Sequence, residues 1–376
     1  MSEVLAAAAR GLGHASASLG LDDDARREEL GRKLERVATL LDAREADALW
    51  LRKAENLAWI TGGGDLRINR EGAPVADAIV TREGLTVVTS RIEAARLQAE
   101  ELPPDTLVEA VAWHDGGARG RRVAGLLQGR SWIDDGDADL SELRQPLLAI
   151  EQTRLAAVGT AASRALTDVV GTLEPRMSER DVVARVHGAL RDAGVDLPVA
   201  LVAGERRFGR VRHPVATDLP FGRLGLVVVC AMRFGLIASL SRTLAFGGAP
   251  PHAEDALRKV WRVEAAMLAA SRVGAASRDV LAAARAAYAS VGEPDAWEDH
   301  HQGGPTGYLP RDWLATPDEG RVLQAGMALA WNPSLPWAKA EDTFLLAADG
   351  LDNLTWDERW PHELVDGRPR AAVRSL

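Results

Sequence analysis

Leu30, Leu34, Val37 and Leu41 recur at helical spacing, so residues 25–43 read as an amphipathic helix. Ala48 to Leu51 is a short apolar run and predicts a buried strand. Residues 75–81 and 85–90 are strand-like and flank Arg82-Glu83-Gly84, a hairpin signal. Helical spacing returns over 92–102, and Pro103-Pro104 stops it. Residues 132–136 close a further strand into a loop. This α/β stretch ends near residue 146.

The second half opens with helical spacing from Glu151 to about residue 173. At Ser178-Glu179-Arg180-Asp181 the serine can accept the backbone N–H of Asp181, whose carboxylate suits a helix start. Strands are predicted over 226–231 and 236–246, with Gly235 at the turn, and helices over 252–272 and 278–290. The chain returns to strand after Gly326. Helix pairs covering antiparallel strands make an α+β layer architecture. A faint twofold helix–helix–strand–strand pattern is visible, with no tandem repeat at solenoid periods.

With 47% hydrophobic and 26% charged residues, the 376-residue chain can bury the cores of two domains. Residues 1–24, rich in Ala, Gly and Ser, read as a flexible arm without the order of a signal peptide. No apolar run reaches the roughly 18–20 residues that span a bilayer, so no membrane role is expected. A net charge of −9 offers no basic surface to nucleic acid. The single cysteine, Cys230, can form neither an internal disulfide nor a thiolate zinc site. A reducing, cytoplasmic setting is expected.

Chemistry concentrates in the second half. Arg212-His213-Pro214 is followed by residues 235–243, which end in Ser239-Leu240-Ser241-Arg242-Thr243. Then come His301-Gln302-Gly303-Gly304-Pro305-Thr306-Gly307, Trp331-Asn332-Pro333 and Glu341-Asp342-Thr343. In this order the segments resemble the pita-bread metallopeptidases: creatinase, prolidase, aminopeptidase P and methionine aminopeptidase. Earlier in the chain, residues 55–63 resemble the creatinase and prolidase N-terminal domain. The resemblance covers nearly the whole chain. It implies a creatinase-like α/β domain over 25–146 and a pita-bread catalytic-type domain over 147–376. It also implies a homodimer, with the partner's N-terminal domain near the pocket and Arg67 entering it.

Metal-binding members supply two Asp, one His and two Glu from these segments. Here Val228 or Cys230 stands at the first Asp, Ser239 at the second, Pro305 at the His and Asn332 at the first Glu. Glu341 alone remains. Neutral groups hold two divalent ions poorly, so no metal and no cofactor is expected. The retained histidines point to creatinase-like acid/base work, with His213 as the main group and His301 relaying protons. Creatinase itself is not matched, because Ser241 and Asn332 stand where it holds its substrate with glutamates. His300 is adjacent to His301; strand alternation would turn the two to opposite faces, making His300 a support.

Glu341 reads as a general base with raised pKa, as an anchor for a substrate cation, or as half of a buried salt bridge with Arg242 or Lys339. Asn332, Ser239, Ser241 and Arg212 would line the site. Trp331 would wall it, and Arg67 and Arg311 would hold a substrate carboxylate. Arg242 reads as structural and Cys230 as a core thiol. The function expected is metal-independent cleavage or rearrangement of a C–N bond in a small carboxylate-bearing molecule. Two alternatives stand beside it: a non-catalytic binding protein, and an Xaa-Pro peptidase with an atypical metal site.

Overall fold

The computed structural model describes residues 23–69 and 72–376. The arm expected over 1–24 lies outside the described residues except for its last two, which open a helix. The chain forms two compact units, divided between Ile150 and Glu151.

In the first unit, helix α1 (Asp23–Ala43) buries Leu30, Val37 and Leu41, as its spacing predicts. It also buries Lys33, whose ammonium donates to Glu29 Oε1 at 2.6 Å and to the Trp59 carbonyl. Strands β1 (Ala48–Leu51), β2 (Ala76–Thr81), β3 (Gly84–Ser90), β4 (Leu107–Val111) and β5 (Trp132–Asp134) form one sheet in the order β4-β3-β2-β1-β5. The β2–β3 hairpin pairs antiparallel, whereas β4 and β5 join as parallel edges. Helix α2 (Ala54–Ile60) starts on Asp135, whose carboxylate accepts Arg52 N, Lys53 N and Asn56 Nδ2. The helix expected over 92–102 is broken: a short α turn at Ala94–Arg96 widens into a π turn at Leu97–Glu101.

The second unit begins inside α3 (Ala149–Val170). Helix α4 (Glu179–Asp192) carries the predicted capping box: Ser178 Oγ accepts Asp181 N, and Asp181 accepts Ser178 N. It packs on β6 (Asp196–Ala203), which joins β7 (Leu224–Arg233) and β8 (Leu236–Ala245) in one antiparallel sheet. Phe234 and Gly235 turn β7 into β8 with φ of 58° and 70°, a two-residue turn that matches strand twist. Helices α5 (Pro251–Ala270) and α6 (Ser277–Ser290) pack together. A second sheet holds β9 (Gly303–Thr306), β10 (Ala328–Trp331) and the strand Asp342–Leu346 in antiparallel register. The two glycines of β9 are required by packing. A Cβ on Gly303 would lie 2.2 Å from the Ala330 carbonyl oxygen, and one on Gly304 2.0 Å from that of Trp313.

On the buried face of α5, Glu264 lies 2.7 Å from Arg370, which is also buried. Neither carboxylate oxygen of Glu264 completes a hydrogen bond, so the pairing is poorly aligned. Burial pushes the carboxyl up to about 7, against the pull of Arg370. The folded protein therefore holds this proton more tightly than the unfolded chain. Its stabilising contribution is complete below the ordinary carboxyl value and is lost as pH rises through about 7. Thermal melts from pH 5 to pH 8 check this: Glu264→Gln is expected to remove part of the fall in Tm over that range.

Candidate functional site

Three segments of the second unit bring the site together: the irregular loop at Arg212–Pro214, the entry to β9, and the turn from Lys339 to Glu341. His213 is exposed, His301 half-buried and His300 buried. His213 Nε2 and His300 Nε2 are 3.0 Å apart, so one ring donates and the other accepts. His300 and His301 stack at 4.4 Å between centroids, and one ring nitrogen from each of the three histidines lies within 4.8 Å of the others.

The expectation that His300 and His301 face opposite sides is therefore corrected. Alternation applies inside a strand, and these residues lie between the 3₁₀ turn Ala296–Asp299 and the start of β9. Gln302, which the sequence reading left unassigned, fixes this bend. Its Nε2 donates to the His300 carbonyl and to that of Trp297, and its Oε1 lies 3.1 Å from Tyr288 OH. Its place beside His301 in the motif was the available signal.

Burial, then Lys339, then the neighbouring rings push His300 down to about 2. Burial, Arg311 and Lys339 push His301 down to about 4, against the opposing effect of Glu341. His213 reaches the surface, but its ring packs against the other two, and this partial desolvation, then Lys339, lowers it too. The three rings are neutral near pH 7.

Glu341 is held on both oxygens. Arg311 Nη2 donates to Oε1 at 2.6 Å, and Lys339 Nζ is 3.3 Å from Oε2. Burial alone would raise its pKa, but Lys339 and Arg311 outweigh burial and lower it. This overturns the reading of Glu341 as a base with raised pKa. The buried salt bridge is the reading that holds: of its two proposed partners Lys339 is found and Arg242 is not, and Arg311 is added. Arg242 pairs with Asp342 at 3.0 Å and donates to the Ser241 and Thr355 carbonyls, a structural role as expected.

Cys230 stands opposite Ser239 in the β7–β8 register, and Val228 opposite Ser241. Ser239 Oγ donates to Cys230 Sγ at 3.3 Å, and Thr343 Oγ1 bonds the Ser239 backbone. Burial, then Glu341, raises the Cys230 pKa, leaving an inert thiol. Ser241 Oγ donates to the Lys339 carbonyl at 3.4 Å. Asn332 is buried with Oδ1 unpartnered.

Trp331 does not wall the site. It is wholly buried in the core cluster, and its indole donates to Ser271 Oγ at 2.9 Å. Arg212 pairs with Asp299 at 3.0 Å. In the first unit, Arg67 is bound by Asp65 at 2.8 Å.

Residues 153–348, more than half of the chain, match the model of Metallopeptidase family M24. The chain belongs to that family, and its α+β architecture, an N-terminal domain followed by a pita-bread domain, is the one its structural neighbours share. The dipeptidase PepE from Mycobacterium ulcerans superposes with a TM-score of 0.73 at 20% identity, covering 95% of this chain and 100% of that one. The prolidase from Pyrococcus horikoshii OT3 gives 0.70 at 18% identity, over 87% and 99%. The N-terminal domain of the FACT complex subunit SPT16 from chickpea, Cicer arietinum, gives 0.65 at 13% identity, over 88% and 96%. No curated protein matches the sequence. Among the described residues, no helix is long and apolar enough to cross a membrane.

Proposed function

We propose that this chain is an enzyme that cleaves or rearranges a C–N bond of a small carboxylate-bearing molecule without the family's di-metal centre. The observation that carries the reading is the state of Glu341. It is the one carboxylate left at the matched ligand positions, and both its oxygens are taken by fixed cations. The other positions present a protonated thiol or a valine, a hydroxyl, a proline and an amide. Two divalent ions need bridging anions to offset their mutual repulsion, and this set does not fit them.

The chemistry then falls to the neutral imidazoles. His213, at the exposed end, takes a proton from water as the water oxygen attacks the carbon of the C–N bond. His300 takes part through the shared Nε2 proton, and Gln302 holds its backbone. The same proton passes to the leaving nitrogen as the C–N bond breaks. Glu341 positions Arg311 and Lys339 rather than accepting the proton. The enzyme works as a cytoplasmic homodimer, and sedimentation of the purified chain checks the dimer.

A second reading rests on the histidine cluster, whose spacing suits one divalent ion on three imidazoles. It would make the chain a peptidase with a displaced single metal, in keeping with neighbours named as prolidases and dipeptidases. One experiment separates the two. Small amides, ureas and Xaa-Pro dipeptides are assayed on protein whose metal content is measured before and after chelation. Turnover that survives chelation supports the first reading. Turnover that vanishes and returns with zinc, manganese or cobalt sinks it and supports the second. Ligand binding with no turnover in either state would place this chain with non-catalytic users of the fold, as the likeness to a FACT complex subunit allows.

A further inference from the structure

The first unit holds a cavity that the histidine chemistry does not use. Strands β1, β3, β4 and β5 run parallel to one another, with β2 antiparallel between β1 and β3, so four carboxyl ends lie at one end of the sheet. The helix Ala118–Leu127 follows β4 and covers the middle of one face, where its Val123 and Leu127 pack with Ala48, Ile79 and Val88. Beside the first turn of that helix the face is open and forms a cavity of about 510 Å³. That is inside the range of roughly 300–1,000 Å³ that small-molecule sites occupy. The carboxyl ends of parallel strands are also where α/β sheets take their ligands.

The wall of the cavity has a definite chemistry. Trp50 on β1 and Trp113 after β4 supply two indoles. Trp113 is 67% exposed, the most exposed tryptophan among the described residues. An indole left in water at a cavity is a surface on which a flat ring stacks with gain. The acceptors of the wall are already used. Asp77, buried on β2, accepts the Trp50 indole N–H at 3.1 Å on one oxygen and has Arg119 Nε 2.7 Å from the other. Asp115 accepts Gly117 N and pairs with Arg121. Donors remain. Arg119 is held by Asp77 and, through Nη1, by the Pro74 carbonyl, and its Nη2 has no partner among the described residues. Ser90 Oγ, at the end of β3, has none either.

We infer that this cavity binds a small planar aromatic acid, its ring against Trp113 and Trp50 and its oxyanion on Arg119. A guanidinium fixed on two sides meets an oxyanion with little further ordering. The helix that carries it has no acid in its first turn, so its N-terminal dipole favours the same sign of charge. A basic ring would meet Arg52 and Arg119 with their carboxylates, Asp134 and Asp77, already paired. A puckered saturated ring would fill the space without stacking. Every residue of the wall belongs to the first unit, so the site stands apart from the histidine cluster and from the reaction proposed for it.

The test is calorimetry on the full chain with benzoate and with phenyl phosphate, against benzylamine and cyclohexanecarboxylate. At least one of the two aromatic acids is expected to bind, and the tighter of them identifies the oxyanion. Both controls are expected to bind more weakly by about tenfold or more. Trp113→Ser changes a surface side chain, so it should keep the wild-type Tm and weaken the aromatic acid by about tenfold. Asp77→Asn combined with Arg119→Gln removes the guanidinium without stranding a buried carboxylate. It is expected to abolish the preference for benzoate over benzyl alcohol; if it does not fold, Trp113→Ser and the ligand series still decide. No binding of either aromatic acid, equal affinity for benzylamine, or full affinity in Trp113→Ser would overturn the site. Affinity kept in Trp113→Ser but lost in His213→Ala would overturn it by placing the acid at the histidine cluster.

Discussion

Glu341→Gln is expected to destabilise the C-terminal unit by about 3–5 kcal/mol, the cost of leaving buried charge uncompensated. In a unit of this size that is a fall in Tm of roughly 10 °C. The reason is local. Both oxygens of Glu341 hold cations, and its own side chain is 4% exposed, so water cannot replace it. Lys339→Met should behave quite differently. It removes an ammonium that burial already disfavours, leaves Arg311 on Glu341 one to one, and is expected to shift stability by no more than about 1 kcal/mol. Paired melts of the two variants read this asymmetry directly. Similar losses for both would mean that the cluster is held by packing rather than by charge.

His213→Ala is expected to lower kcat/KM by about 10²- to 10⁴-fold on any substrate the wild type turns over, the range one acid/base group supplies. Because His213 is exposed, its removal should cost the fold little beyond its one hydrogen bond to buried His300, about 1–3 kcal/mol. The pH profile gives a second signature. A base must be neutral to act, and burial holds His213 below the ordinary histidine value. Activity should therefore stay level through neutral pH and fall only on the acid side of about 6.5. An acid limb unmoved in His213→Asn, with full activity retained, would remove His213 from the reaction. Loss of stability beyond that, in step with activity, would recast it as a structural histidine.

Much of the fold could be read from local pattern. The capping box at Ser178 and Asp181, the turn at Phe234-Gly235 and the apolar stripe of α1 each rest on neighbours in sequence, and each is found. Strand β6 escaped because Pro198 and a register shift between Asp196 and Val199 erase its alternation. The helix over 92–102 was right in periodicity but opens into a π turn where Leu97 buries. The site was legible as a set of positions and illegible as a set of partners. Arg311, expected to hold a substrate carboxylate, holds Glu341's, 30 residues away. Trp331 follows strand alternation inward to Ser271, so its neighbour Asn332 was no guide to its direction. Local spacing carries no record of which distant charge meets which.

Cys230 gives the molecule a property of a different kind. It is the only thiol in the chain, it is buried, and it touches Ser239 across the β7–β8 pair. An alkylating reagent can reach it only when that pair of strands parts or the chain unfolds. The rate of thiol modification in the folded protein is therefore a clock for the breathing of one sheet. Any ligand seated above that sheet will slow the clock without needing to be a substrate.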